Sequence, residues 1–96
     1  MPIVAVFEFP TGTIDQYKQV LDDGGESVAN QPNRLSHICF ATNPGFTVVD
    51  VWQDEASFGA FGEIIGPLAE KAGFSPEPKV FPLVASGTQS GEWTFH

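Results

Sequence analysis

The chain has 96 residues, twelve Asp and Glu against four Lys and Arg, a formal charge of −8 and a hydrophobic fraction of 42%. Its length points to one domain. The acidic balance repels phosphate backbones and anionic lipids, which argues against nucleic acid and membrane surfaces as partners.

The first apolar run, Ile3 to Phe9, alternates Ile3, Ala5, Phe7 and Phe9 with Val4, Val6 and Glu8. It reads as a strand with both faces largely buried. No basic segment precedes it and Glu8 interrupts it, so a signal peptide or membrane span is not expected. Cys39 is the only cysteine, which rules out an internal disulfide and suits a cytoplasmic protein.

Thr13 and Gln16 form a capping-box pattern, with Asp15 in the first turn of the helix that follows. Ile14, Tyr17, Val20 and Leu21 give that helix one apolar stripe, and Gly24–Gly25 ends it. The segment from Gly24 to Arg34 reads as a loop rich in Gly, Asn, Ser and Pro. Two strands come next, Leu35 to Ala41 and Phe46 to Trp52, joined by "TNPG".

Asp54 caps a second helix, with Glu55 in its first turn. Phe58, Phe61, Ile65, Leu68 and Ala72 form its seam, Pro67 predicts a kink or restart, and Gly73 closes it. Lys79 to Ala85 reads as a fourth strand, placed at a sheet edge by Pro82. The tail after Ala85 has turn chemistry and then an aromatic end, Trp93 and Phe95, suited to docking on a partner subunit. The division expected is a domain over 1–85 and a C-terminal tail over 86–96.

The order β-α-β-β-α-β predicts an α+β, ferredoxin-like fold. It is a four-stranded antiparallel sheet, order 4-1-3-2, with both helices on one face. The other face also carries apolar groups, among them Ile38, Phe40, Val49 and Val51. Such a face needs a cover, and a second copy packed sheet against sheet is the simplest one.

Within the hairpin, taking "TNPG" as a four-residue loop sets His37 opposite Asp50, Cys39 opposite Val48 and Leu35 opposite Trp52. A two-residue Pro44–Gly45 loop would instead set Cys39 opposite Asp50 and His37 opposite Trp52. In both registers His37, Cys39, Asp50 and Trp52 share one face. An aspartate beside an imidazole fixes the ring tautomer and stabilises the protonated ring, leaving the other nitrogen as a general base or acid. The same geometry is also a plain buried hydrogen bond, and the sequence leaves both readings open.

Glu8 is a candidate second carboxylate, with a solvent-facing position the simpler reading. Tyr17 sits on an apolar stripe with its hydroxyl at a pocket rim, and Phe58 and Phe61 suit a pocket wall. Two histidines, one of them the terminal His96, and one cysteine make no zinc pattern. No phosphate-binding glycine loop or serine nucleophile elbow is present.

The run "HICFATNPGFTVVDVWQDEASFGAF", with "IGPLAEKAG" and "PEPKVFPLV", resembles small bacterial proteins of the dimeric α/β-barrel superfamily. It is most similar to members grouped with antibiotic biosynthesis monooxygenase-like domains, many of them actinobacterial. The resemblance runs from the first strand to the fourth and is strongest at His37, Val49–Trp52 and Gly66–Leu68. It implies a homodimer with two sheets face to face and a small-molecule pocket between sheet and helices. Relatives of this kind include cofactor-independent monooxygenases, polyketide cyclases, isomerases and haem proteins. The helix-borne histidine of the haem-degrading group is missing here. The single arginine, Arg34, does not match the Asn, Trp and Arg cluster of the quinol monooxygenases.

The reading this supports is a cofactor-free enzyme acting on a small aromatic or polyketide-like substrate. His37, polarised by Asp50, would move a proton, while Tyr17, Cys39, Trp52, Phe58 and Phe61 would bind the substrate. No metal is expected. The alternatives are a dimer that binds a hydrophobic ligand without turnover, and a haem-binding relative.

Overall fold

A computed structural model describes all of residues 1–96. Strand β1 spans Ile3–Phe9, helix α1 Ile14–Gly24, a one-turn helix α2 Glu26–Ala29, β2 Arg34–Ala41 and β3 Phe46–Trp52. Helix α3 spans Glu55–Lys71 and β4 Lys79–Pro82, and a terminal hairpin pairs β5, Ala85–Gly87, with β6, Trp93–Phe95. The four main strands form one sheet in the order β2-β3-β1-β4, and each pairing is antiparallel. The architecture is the ferredoxin-like one expected from the element order, with β4 at an edge.

Local chemistry explains the element ends. The Thr13 hydroxyl accepts from the Gln16 amide nitrogen while the Gln16 side chain accepts from the Thr13 amide, completing the capping box. The same Gln16 side chain donates to the Ala72 carbonyl at 2.9 Å and so ties the start of α1 to the end of α3. Asp54 caps α3 through the Ser57 amide. That bond first, and the Ser57 side chain second, hold its carboxyl below the usual carboxylate range.

Three expectations need correction. Residues 26–29 are helical, not loop: Gly25, at φ +52°, turns the chain so that one helical turn sets Val28 into the core. Pro67 neither ends nor restarts α3, which runs unbroken through it. The carbonyl its missing N–H leaves without that partner belongs to Glu63, an exposed residue. Pro82 ends β4 rather than sitting within it, and residues 85–87 turn away to pair with β6.

The inner sheet face meets α1 and α3 through two apolar clusters. One gathers Phe7, Val20, Phe46, Val48, Ala69 and Phe74, and the other Ile3, Val28, Trp52 and Phe61. On the outer face the register sets Val4 beside Val51 and Phe81, and Val6 beside Val49, itself paired with Ile38. Glu8 lies on this outer side of β1, exposed and 3.6 Å from Lys79, so it is not a second carboxylate of the inner face.

Candidate functional site

The β2–β3 hairpin fixes the site. Its turn carries Gly45 at φ +82°, a left-handed conformation that glycine adopts without strain, and Ala41 pairs with Phe46. The four-residue loop therefore gives the register in which His37 lies opposite Asp50 and Cys39 opposite Val48. Nearer the strand start the register slips by a bulge between Arg34 and Ser36. As a result Arg34, not Leu35, faces Trp52, and Leu35 is left exposed.

Asp50 is 3% exposed and has Ala5, fully buried, as its neighbour on β1. Its two carboxylate oxygens take different partners. Oδ1 accepts from His37 Nδ1 at 2.5 Å, and Oδ2 accepts from Trp52 Nε1 at 3.3 Å. The indole N–H can only donate and an ionised carboxylate can only accept, so Nδ1 of His37 carries the proton. In the neutral ring Nε2 is then an acceptor, and the Tyr17 hydroxyl donates to it at 2.7 Å. The phenol and imidazole planes are nearly parallel, 7° apart.

The result is an uninterrupted chain, Tyr17–His37–Asp50–Trp52, from a helix to the middle of the sheet. Helix α1 supplies Tyr17 because its stripe places that residue one turn before the buried Val20. Burial pushes the Tyr17 phenol above its ordinary value; nearby Cys39 and Asp50 act the same way, and the Arg34 guanidinium opposes them. Burial also raises the Cys39 thiol, against the influence of the Tyr17 hydroxyl.

Beside the chain lies a cavity of about 240 Å³ between the sheet and the helices. Tyr17, His37 and Asp50 reach it, as does Phe61 of α3. The rest of the wall is mostly apolar, with Phe7, Phe46 and Phe74 from the core.

Three residues singled out in the sequence do not line it. Trp52 is fully buried behind it and packs on Phe61 at 4.9 Å. Phe58 sits against Trp52 and Phe7, and Cys39 packs at the edge of the larger cluster. Conversely, Arg34 lines the cavity although its place in the sequence gave no hint of it. Only the bulge turns it inward, and a bulge has no signature in "NRLSH". Helix α3 has no histidine to offer a haem iron.

No family model and no curated protein matches the chain. Solved structures do. Rv0793 from Mycobacterium tuberculosis superimposes with TM-score 0.69 at 9% identity, over 92% of this chain and 100% of that one. SnoaB from Streptomyces nogalater, a cofactor-independent oxygenase, gives 0.58 at 19% identity, over 85% and 90%. An antibiotic biosynthesis monooxygenase gives 0.59 at 19% identity, over 88% and 99%. The chain has the fold of the antibiotic biosynthesis monooxygenase-like proteins. At these identities the likeness speaks for the fold, and one fold of this kind carries many reactions.

Proposed function

We propose that the chain is a cofactor-independent enzyme that removes a proton from a small aromatic or polyketide-like substrate held in the cavity. The observation that carries this is the hydrogen-bonded chain Tyr17–His37–Asp50 ending at the cavity wall. His37 Nε2 is occupied by the phenol, so the substrate meets Tyr17 first. The phenol oxygen takes the substrate proton as its own proton passes to Nε2, and the imidazolium that forms is held beside the Asp50 carboxylate. Tyr17 therefore need not be anionic at rest, which accords with a phenol raised above its usual value. General-base assistance of this type contributes ~10²–10⁴-fold.

The fate of the resulting carbanion depends on the substrate. A doubly activated methylene would add O₂ at carbon to give a peroxide anion. That anion regains the proton from the relay, then loses water to leave a ketone. One oxygen atom stays on carbon, the other leaves as water, and the methylene carbon supplies all four electrons that reduce O₂. SnoaB, of the same fold, is a cofactor-independent oxygenase. A polyketide chain would instead close or isomerise from the same carbanion.

The enzyme is read as a homodimer closed through the outer sheet face. Ile38, Phe40 and Phe81 are 54%, 45% and 50% exposed there in the single chain. A closed pair of sheets removes that apolar surface from water.

A second reading is a ligand-binding dimer without turnover, favoured by the largely apolar cavity wall. Oxygen uptake with anthrone as probe separates the two. Catalysis predicts uptake above the uncatalysed rate, one O₂ per anthraquinone formed, falling at least tenfold in both His37→Ala and Tyr17→Phe. Anthrone binding with no uptake above background would favour the non-catalytic reading.

A further inference from the structure

Arg34 is the single arginine of a chain with twelve acidic residues, yet no carboxylate lies within ion-pair distance of it. Its guanidinium is fixed instead by two main-chain carbonyls. Nη1 donates to Val28 at 2.9 Å and Nη2 to Ala29 at 3.0 Å, at the end of α2. These bonds use two of its five N–H donors. The group also lies over two aromatic faces, 6.0 Å from the centre of the Trp52 ring and 5.8 Å from that of Phe61. It is half-buried and contributes to the cavity wall.

Such a placement is costly without a counter-charge, because a partly desolvated cation loses hydration that main-chain carbonyls only partly replace. Within the cavity wall the other charged group, Asp50, already has its oxygens taken by His37 and Trp52. The aromatic neighbours hold the guanidinium plane without neutralising it. An anion entering the cavity would find one preorganised planar cation at its α2 end. The base chain stands at Tyr17, and the wall between is apolar.

We infer that Arg34 forms an anion subsite, so that the preferred ligand is a flat aromatic bearing an acidic oxygen group such as a carboxylate or an enolic oxygen. The inference rests on the cavity being a ligand site, as the proposed function has it, and narrows the substrate class. Arg34 binds the acidic group and sets the ring across the cavity, with the reacting carbon toward Tyr17. Where the bound oxygen is conjugated with that carbon, the same cation meets the charge that develops as the proton leaves. The chain as a whole carries −8, so long-range electrostatics work against anions, and any preference for one has to come from this local cation.

The test compares 2-naphthoate with its neutral analogue 2-acetonaphthone by calorimetry at about pH 8, where ordinary imidazoles are uncharged. The inference expects naphthoate to bind at least tenfold more tightly to the unaltered protein. Arg34→Lys should keep part of that preference and Arg34→Gln should abolish it, with the ketone's affinity unchanged. Because Arg34 also secures α2, a folding failure of the variants must not decide the matter. A single arginine gives a single Nε–Hε resonance in ¹⁵N NMR, and it should shift with naphthoate and not with the ketone in the unaltered protein. Equal binding of both probes, or an Nε–Hε resonance indifferent to naphthoate, would overturn the anion subsite and leave the ligand cavity standing. Binding of neither would overturn both.

Discussion

The Tyr17 hydroxyl donates to His37 Nε2 across 2.7 Å, joining the first helix to the second strand through the one nitrogen free to act as a base. This contact changes what the His37–Asp50 pair can do. On its own the pair presents a bare imidazole nitrogen to the cavity. With Tyr17 in place, that nitrogen is already taken by the phenol hydroxyl. The aspartate keeps the far nitrogen protonated, so a proton passed on by the phenol is held at Nε2, from which it can return.

Tyr17 is the only tyrosine, so absorbance of the tyrosinate ion reports it alone. Its midpoint should lie above the ordinary value of 10.0, chiefly through burial. The linkage sign follows. A phenol whose folded value exceeds its unfolded one contributes stability that is full below pH 10.0 and lost as pH rises through the folded value. Urea midpoints should therefore fall at alkaline pH, less so in Tyr17→Phe. The Cys39 thiol, raised from 9.0, adds a fall of the same sign. A tyrosinate midpoint at or below 10.0 would remove the basis for this prediction.

Trp52→Phe keeps most of the buried ring and removes one donor from the Asp50 carboxylate. The loss should be about 1–3 kcal/mol, the usual cost of taking a partner from a buried polar group. Urea denaturation followed by far-ultraviolet circular dichroism measures it. A variant as stable as the parent would mean that the indole contributes packing and nothing to the carboxylate.

Gly45 adopts φ +82°, and a side chain there would also run into the main chain of Phe9 and Pro10. Gly45→Ala should destabilise by more than ~1 kcal/mol, the range for a residue forced into left-handed backbone. Any folded variant should show perturbed His37 and Asp50 resonances, because the turn sets their register. An unchanged melting temperature would contradict this.

Ile38 stands on the outer sheet face, away from the cavity, and is 54% exposed in the single chain. Light scattering at micromolar concentration should give a dimer for the parent. Ile38→Lys should shift it towards monomer, since a lysine there would be buried unpaired between two apolar sheets. A monomeric parent would refute closure through this face.

The parts of the fold that follow from local chemistry could be read in the sequence. The capping box at Thr13–Gln16, the stripe from Phe58 to Ala72 and the alternation in β1 each state one element. Of the two loop lengths that "TNPG" left open, the four-residue one gives the observed register of His37 with Asp50. What could not be read depends on tertiary context. A bulge sends Arg34 inward, and Val28 forms a helical turn because the core beside Trp52 receives its side chain. The Tyr17–His37 bond joins residues twenty apart through the packing of α1 on the sheet, which no spacing rule encodes. Phe58 and Trp52 look like a pocket wall by periodicity, but packing sets them behind it.

The central claim, a proton relay between Tyr17 and a His37 ring held by Asp50, is tested most directly by the tautomer of His37. Long-range ¹⁵N–¹H NMR of the imidazoles at about pH 8 reads it, with His96→Gln separating the signals of the two histidines. The relay predicts a protonated Nδ1 with a strongly downfield proton, and a bare Nε2 whose shift moves on Tyr17→Phe. A His37 ring protonated at Nε2, or an Nε2 shift indifferent to the loss of the Tyr17 hydroxyl, would contradict it.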